Sequence, residues 1–190
     1  MTQSEVADHF TSPRAAVERA RRMLELEQAL TRASDSFFDT IVVNEIAPAF
    51  ALALRMLKNY SEASDAVHVA LERARANFSD FDGAEPPRSW LLGYVADEAV
   101  HRSARQGPQP GCDDHLQQST ESALHCLAPR HRLAVILTDV LGMTDGDAAS
   151  VARVDMGTVR RQASSARVWL ARHLAVSTDH RTAVRRAALG

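Results

Sequence analysis

The sequence is poor in several features that mark large classes of proteins. Cys112 and Cys126 are the only cysteines, so the chain cannot build a disulfide framework. Aromatic residues make up 5% of the chain, and strand-like alternation of apolar and polar residues is absent. No apolar run reaches the ~20 residues of a membrane helix, and the N-terminus has no hydrophobic signal core. We therefore expect a cytoplasmic all-α protein without membrane insertion.

The motifs that usually identify enzymes are also missing. There is no Gly-rich phosphate loop and no Gly-x-Ser-x-Gly sequence, so neither an enzyme nor a bound cofactor is expected. One local cluster could suggest a metal, because it places cysteine and histidine side chains close together in sequence. Its adjacent pair has poor geometry for a tetrahedral zinc site, and no metal site is predicted. The cluster consists of Cys112, His115, His125, Cys126 and His131.

Charge is distributed unevenly along a chain that is rich in alanine and arginine. Residues 1–119 hold 12 basic and 18 acidic residues, whereas residues 120–190 hold 10 basic and 6 acidic residues. Only the C-terminal part therefore has the electrostatic character that suits nucleic acid. The acidic part is better suited to a basic protein surface.

Proline and glycine indicate the domain organisation. Gln106 to Gly111 contains two prolines and two glycines in six residues, which cannot continue a helix. The predicted organisation is two small helical domains joined by this linker. The segments are an N-terminal extension with a helix (1–34), a helical domain (35–105), the linker (106–120), a C-terminal helical domain (121–176) and a basic tail (177–190). Within this scheme, Ser34 to Ser36 offer caps for a new helix, and Pro48 is expected to kink or split it.

The C-terminal domain has the pattern of a helix-turn-helix. Apolar spacing predicts a first helix over about 129–140, Thr144 is placed to cap a short second helix, and a third helix is expected over about 157–173. The third helix has a polar face with hydrogen-bond donors and no acid, which suits phosphates and base edges. Its candidate DNA-binding residues are Thr158, Arg160, Arg161, Ser164, Ser165 and Arg167. A small helical bundle with a solvated arginine face is the alternative interpretation.

These residues resemble a known family. The runs 142–144 (Gly-Met-Thr), 147–149 (Asp-Ala-Ala), 156–161 (Met-Gly-Thr-Val-Arg-Arg) and 166–167 (Ala-Arg) are similar to the C-terminal DNA-binding region of bacterial sigma factors. The closest pattern is that of the small extracytoplasmic-function (ECF) type of the sigma-70 family. The resemblance implies a recognition helix for the promoter's minus-thirty-five element and contact with the β flap of core RNA polymerase.

The N-terminal domain continues the resemblance. Asp65 and Val67 match a family motif on a helix that, in the family, contacts the coiled-coil clamp of the polymerase β′ subunit. His68 stands where glutamine is usual. The residues that this resemblance assigns to polymerase binding are Asp65, His68, Val69, Glu72 and Arg73.

A second signature in this domain resembles the segment that captures the minus-ten element. Phe81 to Gly83 and Arg88 to Leu91 match it, and the resemblance implies DNA contacts by Trp90, Arg102 and Arg105. A held, flipped base needs aromatic and basic groups of this kind. Ala96-Asp97 replaces the family's Arg-Asn pair, and an acid at this position weakens attraction to the DNA backbone.

Taken together, the resemblance implies an ECF-type sigma factor that directs core RNA polymerase to promoter DNA and is held by an anti-sigma factor. Two alternatives come from other classes. A divergent sigma-like adaptor would act through protein partners, as the acidic N-terminal part and the changes at His68 and Asp97 suggest. A stand-alone helix-turn-helix regulator would bind duplex DNA without polymerase.

Overall fold

The computed structural model describes the backbone of residues 13–107 and 120–187, and the side chains of residues 21–107 and 121–174. All regular structure in these ranges is helical, which confirms the predicted all-α class. The helices are α1 (Pro13–Leu57), α2 (Tyr60–Ala76), α3 (Pro87–Gln106), α4 (Thr120–Cys126), α5 (Pro129–Val135), α6 (Asp145–Ala152) and α7 (Met156–Ala187). A short 3₁₀ turn, Phe78–Asp80, follows α2, and a π-helical segment, Ile136–Val140, continues α5. Most of the predicted linker, with Cys112 and His115, lies outside the described residues.

Helix α1 differs from the prediction. The expected break at Ser34 to Ser36 is wrong, because these residues lie inside one 45-residue helix. Serine and aspartate are only mildly unfavourable inside a helix, and no glycine or proline near Ser34 forces the backbone out of helical geometry. Pro48 also lies within α1 and does not end it. Burial of Ala49, Leu52 and Met56 just beyond it offsets the backbone hydrogen bond that proline cannot make.

Tertiary contacts divide the chain into two compact units, Met1–Thr40 and Ile41–Gly190. In the first unit, the described part of α1 exposes several large apolar side chains to solvent. These are Met23, Leu24, Leu26, Leu30 and Phe37.

One stretch of the described residues, Arg21–Leu57, is long and apolar enough by length and composition to cross a membrane, with a window hydropathy of 1.5. Core helices of soluble proteins meet the same criteria. Leu52, Ala53 and Met56 in its last turns are fully buried inside the protein. Only 28% of the apolar window is buried inside the protein.

The second unit contains both of the predicted helical domains, which we call the N-terminal half (residues 41–107) and the C-terminal half (residues 120–174). Many of their buried residues form one shared hydrophobic cluster, and a smaller cluster of Leu127, Val135 and Ala166 lies within the C-terminal half. Leu52 and Leu92 come from the N-terminal half, and Leu137, Val151 and Val159 come from the C-terminal half. Helix α3 therefore packs against α2 on one side and against α5 and α6 on the other.

Local capping sets the geometry of the C-terminal half. Gly142 adopts a φ of 63° in the turn after the π-helical segment, where a left-handed conformation favours glycine. Thr144 caps α6, because its Oγ1 accepts a hydrogen bond from the Asp147 backbone nitrogen at 3.1 Å. The Thr144 cap agrees with the sequence prediction. Arg153 then takes a left-handed conformation (φ 53°) that ends α6, three residues before α7 begins.

Candidate nucleic-acid interface

The start of α7 is organised by Asp155. Its Oδ1 accepts from the Thr158 backbone nitrogen at 2.8 Å, and its Oδ2 accepts from the Thr158 hydroxyl at 2.5 Å. These hydrogen bonds hold the pKa of the Asp155 carboxyl below its ordinary value, with the hydroxyl contributing most. Arg161 Nη2 in turn donates to Thr158 Oγ1 at 2.6 Å. Thr158, a predicted DNA contact, thus serves in the cap and helps to orient the Arg161 side chain.

Two of the predicted recognition arginines pair with acids from neighbouring elements. Arg160 forms an ion pair with Asp145, in the first turn of α6. Arg167 donates from Nε to Asp139 at 2.9 Å and from Nη2 to the same carboxylate, so the pair is bidentate. The Arg167 guanidinium holds the pKa of Asp139 below its ordinary value. Part of the positive charge predicted for α7 is therefore compensated inside the C-terminal half.

The remaining predicted residues of α7 lie on its exposed face. Val159, Ala163 and Ala166 are buried and fix the orientation of the helix. Ser164 and Ser165 are exposed next to this stripe, on the same helix as the exposed Arg161. These exposed side chains offer hydrogen-bond donors to solvent, which suits contacts with phosphate groups.

The predicted polymerase-binding residues share one face of α2. His68 and Glu72 approach each other to 3.4 Å one turn apart, and Asp65 is exposed. Val69 is half-buried on the same face. Arg73 at the end of the series reaches across to α3, where it pairs with Asp97 at 3.3 Å and with Glu98 at 3.5 Å. The acid at position 97 is thus engaged by an arginine of the predicted polymerase surface.

Trp90 lies in an aromatic cluster at the start of α3. Its ring centroid is 5.6 Å from that of Phe78, 5.0 Å from Phe81 and 5.1 Å from Tyr94. The Trp90 side chain is only 8% exposed. The indole therefore supports the loop between α2 and α3 and presents little surface of its own to a base.

Arg102 and Arg105 lie near the end of α3. Arg102 pairs with Glu98 at 2.8 Å and with Glu62 of α2 at 3.3 Å, and the hydrogen bond to Glu98 contributes most to raising its pKa. Arg105 is exposed, and both arginines line a cleft of about 370 Å³ with Glu62, Glu98 and Gln106. This cleft has mixed charge, which distinguishes it from the acid-free face of α7.

Arg132 of α5 links the two halves, a structural role that sequence reasoning missed. It is 4% exposed, and its guanidinium binds neutral groups from both halves. In the sequence it matches only the arginine that follows the 128–129 turn (Ala-Pro) in the family pattern, which does not indicate burial. The acceptors are the carbonyls of Met56 (2.6 Å), Leu124 (3.0 Å), His125 (2.6 Å) and Leu127 (3.1 Å), and the Ser103 hydroxyl (2.9 Å).

Burial shifts the titration of this cluster. Desolvation lowers the pKa of Arg132 to about 10, still well above neutrality, so the guanidinium stays charged. Desolvation, with smaller contributions from the charges of Arg132 and Lys58, lowers the pKa of His125 to about 4. The ring is therefore neutral at pH 7, and its Nδ1 lies 3.2 Å from Arg132 Nη1 as an acceptor.

Metal-binding groups are not assembled in the described ranges. No three His, Cys, Asp or Glu side chains there come together in a way that could hold a metal ion. Cys126 is disulfide-bonded, so its sulfur is not a free thiolate ligand.

Comparison with known proteins identifies the fold. No family model and no curated protein matches the chain. Among solved structures, the sigma factor RpoE of Bartonella quintana, crystallised with the anti-sigma factor NepR, matches with a TM-score of 0.59 and 24% identity, over 73% of this chain and 97% of that chain. CnrH, in complex with the cytosolic domain of CnrY, matches with a TM-score of 0.58 and 23% identity, over 76% of this chain and 93% of that chain.

A third match comes from the complex of the anti-anti-sigma factor PhyR with NepR, also from Bartonella quintana. Its TM-score is 0.55 and its identity 19%, over 70% of this chain and 49% of that chain. The chain therefore shares the fold of these sigma-factor and anti-anti-sigma-factor structures.

Proposed function

We propose that the protein is an ECF-type RNA polymerase sigma factor. The observation that carries this proposal is the fold, which spans 97% of the RpoE chain and so includes both halves of the molecule. The exposed donors of α7, Arg161, Ser164 and Ser165, support DNA binding by the C-terminal half. Such a protein acts in the cytoplasm as a binding subunit and has no catalytic chemistry of its own.

In this proposal the two halves bind different partners. The exposed face of α2, with Asp65, His68 and Glu72, binds the β′ clamp of core polymerase, and the C-terminal half meets the β flap. Helix α7 enters the major groove of the minus-thirty-five element, with Arg160 and Arg161 as its leading contacts. On binding, Arg160 leaves Asp145 and pairs with a DNA phosphate. This exchange is favourable because phosphate charges are closely spaced along the duplex.

A protein regulator of the anti-sigma type is part of the proposal. The RpoE structure contains the anti-sigma factor NepR, which supports such a partner here. The acidic balance of residues 1–119 suits a partner with a basic surface.

Transcription with purified core polymerase from the same source tests the proposal. On a genomic fragment library, the wild-type chain should direct specific initiation, and the variant Arg160→Ala plus Arg161→Ala should lose it. A matched control is Arg21→Ala plus Arg22→Ala, another adjacent arginine pair, on α1. Absence of both transcripts and polymerase binding would refute the sigma-factor function.

One observation favours a second candidate, a sigma-like adaptor that acts through proteins. Asp97 and Glu98 place two carboxylates on α3 and bind Arg73, so this part of α3 offers little attraction for DNA. The likeness to the PhyR complex agrees with such a role. Stable co-purification with core polymerase or with a regulator, but no transcript, would favour the adaptor. Tight duplex binding without polymerase would favour a stand-alone helix-turn-helix regulator.

A further inference from the structure

The described part of the first unit carries an apolar stripe along α1. Its residues alternate three and four positions apart, which is the spacing of the a and d positions in the seven-residue repeat (a to g) of a coiled coil. Half or more of the surface of each of its four large residues reaches solvent. A narrow exposed stripe of this kind suits a partner helix. The α1 stripe consists of Met23, Leu30 and Phe37 at a positions and Leu26 and Ala33 at d positions.

The side of α1 away from the stripe is mainly polar and bonds within its own helix. Arg21 Nε donates to Glu25 Oε1 at 3.2 Å, one turn along the helix. Thr31 Oγ1 donates to the Glu27 carbonyl at 2.9 Å. Leu24 is the large apolar residue on this side, and it is exposed. Because the stripe groups five apolar residues in register, it offers the larger apolar area to a partner.

Two opposite charges flank the stripe. Arg22 occupies a g position, and Glu27 occupies the e position five residues later. In a parallel two-stranded coiled coil, each g residue faces this e residue on the other helix. Two copies of α1 in parallel therefore place Arg22 against the partner's Glu27, and two-fold symmetry forms the pair twice. An antiparallel arrangement brings g positions together and e positions together, so it does not join these two charges.

We propose that the α1 stripe is a self-association surface whose occupant is the same stripe of a second copy of the chain, in parallel orientation. The repeat covers about two heptads, because Arg19 and Thr40 occupy the neighbouring d positions. Such a short interface lies at the low end of interface sizes, so the dissociation constant should be about 10–100 μM. The inference goes beyond the proposed function and uses no contact with DNA or polymerase.

A lipid surface is the other occupant that an apolar helix face could take. Helices that lie on membranes usually carry an excess of basic residues on their polar face. Residues 21–40 contain three basic and four acidic residues, so this part of α1 has no net attraction for anionic headgroups. The charge pattern therefore favours a second copy of the chain.

Sedimentation equilibrium of the full-length chain over about 5–500 μM measures the self-association. The wild-type chain should approach twice the chain mass at the highest concentrations. Leu26→Glu places a charge in the stripe and should raise the dissociation constant at least about tenfold. The matched control is Leu24→Glu, the same change at an exposed leucine off the stripe, which should alter it by less than about twofold. A wild-type monomer at every concentration, or equal effects of the two variants, would overturn the proposal.

Charge exchange in the same experiment tests the parallel orientation. Arg22→Glu sets two carboxylates against each other and should weaken association at least about threefold. Arg22→Glu plus Glu27→Arg restores opposite charges across a parallel dimer and should return the dissociation constant to within about twofold of wild type. Wild-type association of the single variant, or failure of the double variant to recover, would overturn the parallel pairing. Co-sedimentation with anionic phospholipid vesicles by a chain that stays monomeric would overturn the second copy as the occupant.

Discussion

Single side chains join the two halves of the second unit, and Arg132 makes the most extensive of these contacts. A buried guanidinium without a carboxylate partner is costly unless its N–H groups are all used. Here they are donated to carbonyls near the ends of α1 and α4, which would otherwise lack partners in the core. The residue is therefore a stabilising link and is not available to DNA.

Arg132→Met should lower the free energy of unfolding by about 3 kcal/mol, because it removes one cation and leaves several buried carbonyls without donors. Chemical denaturation measured by circular dichroism checks this. Arg130→Met, at an exposed arginine two residues away, should change stability by less than about 0.5 kcal/mol. Equal effects of the two variants would show that the Arg132 contacts contribute little.

His125 should make stability depend on pH. Its pKa is about 4 in the folded chain and about 6.5 when unfolded, so the unfolded state binds more protons between these values. The contribution of His125 is complete above about pH 6.5 and is lost as the pH falls through about 4, by an amount on the order of 2–3 kcal/mol. His125→Asn keeps an acceptor for Arg132 and should flatten this dependence in urea titrations at pH 7, 5.5 and 4. The free energy of unfolding should fall equally with falling pH in wild type and in His131→Asn. In His125→Asn it should fall clearly less.

The helices differ in how strongly the local sequence determines where they begin and whether they continue. Helices α6 and α7 begin where Thr144 and Asp155 supply caps, and these short-range hydrogen bonds are visible in the sequence pattern. The continuous α1 and the π-helical segment Ile136–Val140 were not foreseen. Both depend on the tertiary contacts of the helix, which the spacing of residues in the sequence does not reveal. The π-helical segment carries Thr138 and Asp139, and both bind Arg167.

The arginines of α7 should contribute unequally to DNA binding. Within the described part of the chain, Arg161 donates a hydrogen bond to the Thr158 hydroxyl alone, whereas Arg167 is bidentate with Asp139 and must break that pair before it can bind a phosphate. Arg161→Ala should therefore reduce the slope of log affinity against log salt by about 1. Arg167→Ala should change the slope by clearly less. Titration of the polymerase holoenzyme onto a promoter duplex measures both, and a larger effect at Arg167 would contradict this assignment.

The molecule as a whole departs from the picture of two independent domains on a linker. Helices from both halves contribute to the main cluster, so each half buries much of its apolar surface against the other. Gly93 and Ala96 of α3 are small enough to let α6 pack closely against them.

Unfolding of residues 41–174 should be one cooperative transition. The chain has two tryptophans, Trp90 in the aromatic cluster of the N-terminal half and Trp169 stacked on His173 in the C-terminal half. Single-tryptophan variants, Trp90→Phe and Trp169→Phe, report on the halves separately. Their fluorescence transitions in urea should each coincide with the circular-dichroism transition of the same variant, because the core is shared. Fluorescence midpoints that differ from the global transition would indicate independently stable domains.

The sequence by itself determined the helical class, the first residues of α6 and α7, and the absence of acidic residues over positions 158–167 of α7. These depend on periodicity and on hydrogen bonds between residues three or four apart, which the local chain specifies. The predicted end of α7 near residue 173 is wrong, because the helix continues to Ala187. The tertiary structure alone decided that Arg132 is buried between the halves, that Asp139 and Asp145 pair with arginines of α7, and that α3 docks on α6. Those contacts join residues from 15 to 76 positions apart. They follow from side-chain volume and the burial of charge, so no local pattern can specify them.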